Sequence, residues 1–209
     1  AYYKYANFFL SSANQVLDQG WHMEAVILPL GISFFTFTQI AFLVDAYRGE
    51  VKERNFIHYG LFVTYFPHLI AGPVLHHKEM MPQFAQAQTY RPHWENVSVG
   101  LTIFVIGLFK KTVLADGVAP YSTPIFDAAA AEQTLTFFEA WGGALAYTFQ
   151  LYFDFSGYSD MAIGLSRMFG VKLPLNFHSP YKATNIVEFW RRWHMTLSRF
   201  LRDYLYFAL

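Results

Sequence analysis

Ala25–Val44, AVILPLGISFFTFTQIAFLV, and Phe56–Leu75, FIHYGLFVTYFPHLIAGPVL, contain no Lys, Arg, Asp or Glu. A helix needs about 20 mostly apolar residues to cross the hydrocarbon core of a bilayer, and each run has that length. Glu24 bounds the first run on one side, Asp45 and Arg48 on the other; the second carries His58, Pro67 and His68 inside it. Val97–Phe109 and Ala140–Phe153 are shorter, and are expected to be tilted, broken or re-entrant helices held at membrane depth by surrounding protein. Buried core helices of a soluble protein are the alternative to spans. The pattern predicts an all-α, polytopic membrane protein, with residues 1–209 forming one membrane domain.

Composition agrees. Hydrophobic residues make up 54% of the chain and aromatic ones 20%, while only 14% are charged, against about a quarter in ordinary soluble domains. With a net charge of zero there is no cationic surplus to neutralise phosphates, so nucleic acid is not an expected partner. There is no cysteine, which removes disulfides, thiolate metal sites and a cysteine nucleophile. Basic residues flank several runs at Lys52, Arg54, Lys78, Lys110, Lys111 and Lys172, and Pro and Gly punctuate connectors such as Ala71-Gly72-Pro73. The chain opens without Met or a signal segment and closes inside an amphipathic pattern, and so reads as the central part of a longer protein.

The closing segment carries the most chemistry. Thr184-Asn185 with Glu188 has the spacing of a helix N-cap answered by a carboxylate. On a wheel of about 100° per residue, Trp190, Trp193, Leu197, Phe200, Leu201 and Tyr204 share one face and Arg191, Arg192, Arg199, Arg202 and Asp203 the other. This predicts one amphipathic helix in the membrane interface. His194 falls at the border of the faces. An imidazole there suits proton transfer to and from a hydroxyl near neutral pH; the competing reading is a histidine that only reaches for the interface.

Asp154 and Asp160 lie in or beside an apolar run, where a carboxylate is costly unless paired or facing a polar cavity. Gln150, Asp154 and Tyr158, spaced by four, would line a tunnel; alternatively the acids pair with Arg191 and Arg192. His68, next to Pro67, is either a pocket wall or the partner of the carbonyl that the proline frees. His76, His77 and Glu79 are weighed as a metal site and set aside, because adjacent side chains diverge on a helix and no HExxH spacing is present. No bound metal or cofactor is expected. Without a GxSxG elbow or a Gly-rich phosphate loop, the nucleophile expected of an enzyme here is the substrate's own hydroxyl.

The runs LPLGISFFTFTQIAFLVDAYRGE, YFPHLIAGPVLHHKEM, LFKKTVLAD, LYFDFSGYSDMAIGLSRMFG and LNFHSPYKATNIVEFWRRWHMTLSRFLRDYLY together resemble the membrane-bound O-acyltransferases. They look closest to the bacterial branch that acetylates alginate or transfers D-alanine to teichoic acid. The resemblance implies a ring of tilted helices with a funnel on each side, of which this chain is an excerpt. It also implies transfer of an acyl group, expected to be acetyl, from a thioester donor such as acetyl-CoA or an acyl carrier protein. The acceptor would be a hydroxyl of a cell-surface polysaccharide, and the setting a multi-pass protein of the bacterial inner membrane working with other envelope acetylation proteins. The family's RRWH histidine maps onto His194. A second family histidine, in a Trp-His motif, is expected beyond Leu209, so the 209 residues alone are expected to be inactive. Asp154, Asn176, Trp190, Arg191 and His68 are the supporting candidates. A transporter using Asp154 and Asp160 for ion coupling, or a scaffold without chemistry, is the rival reading.

Overall fold

The structure is a computed structural model and describes residues 2–24, 26–27, 31–53, 55–70 and 72–208. Ala25 and residues 28–30 of the first expected span, Arg54 among the flanking charges, and Ala71 lie outside the described residues. Every regular element among the described residues is a helix.

The two runs expected to span most cleanly are interrupted. Helix α1 covers Tyr2–Leu17, and α2 covers Ile32–Tyr47, starting only after Gly31, whose φ of 73° is left-handed. α3 covers Phe56–Thr64 and gives way to a tight turn at Phe66–His68. Pro67 cannot donate to the carbonyl four residues back, and Pro73 closes off any resumption. Neither expected 20-residue span is one continuous helix.

The two shorter runs instead sit inside the longest helices. α5 (Trp94–Phe109) continues through a wide π-type turn at Lys110–Ala115 into α6 (Asp116–Ala130). Trp94–Ala130 is, among the described residues, the one helix long and apolar enough to cross a membrane. α7 runs unbroken over Phe137–Met168, opened by a capping box between Thr136 and Glu139. At about 1.5 Å per residue both rods exceed the ~30 Å of a hydrocarbon core.

These rods are antiparallel and touch backbone to backbone. A Cβ on Gly107 would stand 2.6 Å from the Gly157 carbonyl oxygen, and one on Gly164 would stand 2.5 Å from that of Gly100. Small residues seven apart on each helix remove the side-chain layer between them, the usual means of close helix approach where lipid surrounds both. Beside this pair, α4 (His77–Phe84) packs Met80, Met81 and Phe84 against Phe62, Leu75, Ala162 and Val171 as the buried apolar cluster.

After α7 the chain forms no helix over 171–178 and then enters α8 (Ile186–Trp190) and α9 (Met195–Tyr204). The expected cap is present: Asn185 Oδ1 accepts from the Glu188 amide at 2.9 Å, and Glu188 accepts from the Thr184 amide at 2.9 Å. The expected single amphipathic helix is not. Residues 191–194 break it, and His194, at φ 43° and ψ 51°, is left-handed. The break redirects Trp193, which packs edge-on against Phe177 at 5.1 Å and stacks on Phe189 at 5.7 Å.

Candidate active site

Two backbone bonds set the site: His178 donates to the Arg192 carbonyl and Met195 to the Asn176 carbonyl, each at 2.9 Å. They clamp the non-helical segment after α7 along the break between α8 and α9. Asn176 is 1% exposed and His194 8%. His194 Nδ1 lies 2.9 Å from Asn176 Oδ1, and Thr196 Oγ1 donates to the same oxygen at 2.9 Å. An amide oxygen only accepts, so the ring proton resides on Nδ1 and Nε2 keeps its lone pair. Asn176 Nδ2 donates to Ser159 Oγ of α7 at 3.2 Å, and the Val74 amide donates to Thr196 Oγ1 at 2.9 Å. The imidazole is thus oriented through one asparagine by three segments distant in sequence.

Aromatic rings close the ring's flanks. Phe155 of α7 meets it edge-on at 4.8 Å, and Phe177 stacks at 6.4 Å. Burial among them pushes the imidazole down to about 4, so it is uncharged at neutral pH. Beside it opens a cleft of about 870 Å³ whose walls include Trp190, Arg191, Met195, Thr196, Arg199 and Arg202. His194 does not itself line that cleft; the residues on either side of it do.

The sequence-derived candidates divide. Asn176 joins His194 directly, and Trp190 and Arg191 lie on the adjoining cleft wall. Asp154 and Asp160 do not pair with Arg191 or Arg192. Asp154 binds Lys111 at 2.7 Å and Asp160 binds Lys110 at 2.5 Å. The π-type turn sets both lysines opposite α7, whereas Arg192 binds Glu188 at 2.5 Å. His68 is 3% exposed and stacks on Tyr65, and its Nδ1 is buried without a hydrogen-bond partner among the described residues, so neither the pocket-wall reading nor a bond to the carbonyl freed by Pro67 is met by that nitrogen. Thr196 and Ser159 were not anticipated. No motif marks them, and only the fold brings them to Asn176.

Residues 4–209 match the profile of MBOAT, the membrane-bound O-acyltransferase family. The chain belongs to this family. Among membrane-bound O-acyltransferases it is 48% identical to a peptidoglycan O-acetyltransferase of Helicobacter pylori, with all of this chain and 44% of that protein covered. It is 47% identical to a probable alginate O-acetylase of Pseudomonas aeruginosa, covering all of this chain and 40% of that protein. A teichoic acid D-alanyltransferase of Bacillus subtilis is 32% identical over 85% of this chain and 44% of its own length. The chain therefore spans less than half the length of the curated relatives it matches.

Proposed function

We propose that this chain is the histidine-bearing part of a membrane O-acyltransferase that moves an acetyl group from a thioester donor to a hydroxyl of a cell-surface polysaccharide. The observation that carries this is the buried, uncharged His194, held by Asn176 with Nε2 left as a base. Nε2 takes the acceptor's hydroxyl proton as the oxygen attacks the thioester carbonyl. The C–O bond forms, the C–S bond breaks, and the proton passes from the imidazole to the departing thiolate. Juxtaposing donor and acceptor supplies a further large share of the rate. The second family histidine, expected beyond Leu209, acts as partner to this one.

Acetyl-CoA or an acylated carrier protein is the proposed donor, delivered to a multi-pass protein of the bacterial inner membrane alongside other envelope acetylation proteins. Support comes from the family and from two relatives whose names specify acetylation of peptidoglycan and of alginate. The test is His194→Ala in the full-length protein, reconstituted with labelled acetyl donor and polysaccharide. Transfer should fall at least 100-fold, in line with loss of a general base, and unchanged transfer refutes the proposal.

A further inference from the structure

Away from His194, three side chains of metal-ligating type converge. Asp45, near the end of α2, is 2% exposed and His77 is 4% exposed. Asp45 Oδ2 lies 2.7 Å from His77 Nε2 and 3.2 Å from His76 Nε2, and the three ligand atoms all fall within 4.8 Å of one another. Tyr204 of α9 brings its hydroxyl 2.9 Å from the same Oδ2 and into contact with His76 Nε2. Adjacent histidines diverge on a helix, but these straddle a helix start. His76 is extended at φ −104° and ψ 134° while His77 opens α4, so the rings lie 4.6 Å apart, tilted by 31°.

We propose that Asp45, His76 and His77 bind a divalent transition-metal ion of the zinc type, with Tyr204 beside the fourth coordination position. Two imidazoles and one carboxylate suit Zn²⁺ and its neighbours, whereas Mg²⁺ and Ca²⁺ take oxygen ligands. Bonds of about 2.0–2.1 Å in a tetrahedron put ligand atoms roughly 3.3 Å apart. The two separations to Asp45 therefore need to open by ~0.6 Å or less, a side-chain adjustment.

Two contacts yield when the ion enters. His76 Nδ1 accepts from the Lys78 amide at 3.2 Å, which places that ring's proton on Nε2; coordination moves the proton to Nδ1 and gives up this one long bond. Lys78 Nζ, 3.6 Å from Asp45 Oδ2, supplies the positive charge facing it. Its ammonium already binds Glu50 at 2.5 Å and is half-exposed, so it stays with Glu50 when a dication takes its place. His77 also borders a pocket of about 230 Å³ whose charged walls are Glu50, Lys52, Glu53 and Lys78. The ion would brace α2, α4 and α9, and α9 begins directly after His194.

The test uses the full-length protein purified without a histidine tag, stripped by chelator, dialysed against Zn²⁺ and counted for metal, with Co²⁺ as an optical probe. One ion per chain and a four-coordinate, nitrogen-ligated Co²⁺ spectrum are expected. The His76→Ala/His77→Ala variant should bind at least 100-fold more weakly, and His58→Ala should bind normally. Substoichiometric metal in the unmutated protein, equal binding by the double variant, or equal loss in His58→Ala overturns the site. Should the double variant fail to fold, a Co²⁺ spectrum of the unmutated protein lacking nitrogen ligation overturns it instead.

Discussion

Asn176 Oδ1 sits 2.9 Å from His194 Nδ1 and leaves Nε2 as the ring nitrogen with a free lone pair. Asn176→Ala removes that acceptor and leaves the Thr196 hydroxyl and Ser159 without their shared partner, a cost to stability of about 1–3 kcal/mol. Transfer by the purified protein should fall by ~10-fold or more, in kcat rather than KM.

Asn176→Asp separates positioning from mere packing through pH. Burial holds His194 near 4, so under the proposed mechanism the full-length protein should keep a neutral base, and a flat rate, down to about that pH. An aspartate at this distance favours the charged ring and raises its pKa by about 1–3 units. The base is then protonated at higher pH, so the acid limb of the rate profile should move upward by that amount. An unmoved limb shows that His194 is not the titrating base.

Gly107 and Gly157 make a prediction about the fold. A Cβ at either meets the other's carbonyl oxygen at 2.6–2.7 Å, so Gly157→Val must push α5 from α7. Overpacking of this kind costs about 1–3 kcal/mol, readable as a lower unfolding midpoint in detergent. Gly142→Val on the same helix meets open space and should cost much less.

Helical class and the Asn185 cap were legible because composition and cap spacing are local. Helix length was not. A hydropathy run treats Pro67 and Gly31 as two residues among twenty, whereas each governs the hydrogen bonds of a whole turn. Conversely, polar residues in and beside the run Ala140–Phe153 are paired across helices: Gln150 with Ser122 and Asp154 with Lys111. A wheel likewise presupposes continuity, so it could not show the left-handed turn at His194. His194 itself was found through the RRWH resemblance; its dependence on Asn176 rests on a chain reversal that no periodicity encodes.

Lys110 and Asp160 form a half-buried pair between the π-type turn and α7, 2.5 Å apart. Lys110→Ala or Asp160→Ala leaves a partly desolvated charge behind and should cost about 1–3 kcal/mol. The swap Lys110→Asp with Asp160→Lys should recover at least half of that in a double-mutant cycle. Cycles of Asp160 with Arg191 or Arg192 should show coupling within ~0.5 kcal/mol of zero, as expected of residues that share no partner. Strong coupling to either arginine would restore the pairing read from the sequence.

His194 is left-handed, and this allows its chemistry to be separated from its place in the fold. A non-glycine residue in that region costs about 1–2 kcal/mol, while glycine adopts it freely. Glycine also adds unfolded-chain entropy, about 0.4–1 kcal/mol against alanine. Relief of the backbone strain outweighs that entropy, so His194→Gly should be more stable than His194→Ala by roughly 0.5–1 kcal/mol. Both lose the imidazole, so both should lose acyl transfer to the same extent. If the restored stability of the glycine variant brought activity back with it, His194 would be acting as a hinge rather than as a base. If glycine proved less stable than alanine, the turn into α9 would not be left-handed in the full-length protein. Denaturation midpoints and transfer rates measured on the same two preparations decide between these outcomes.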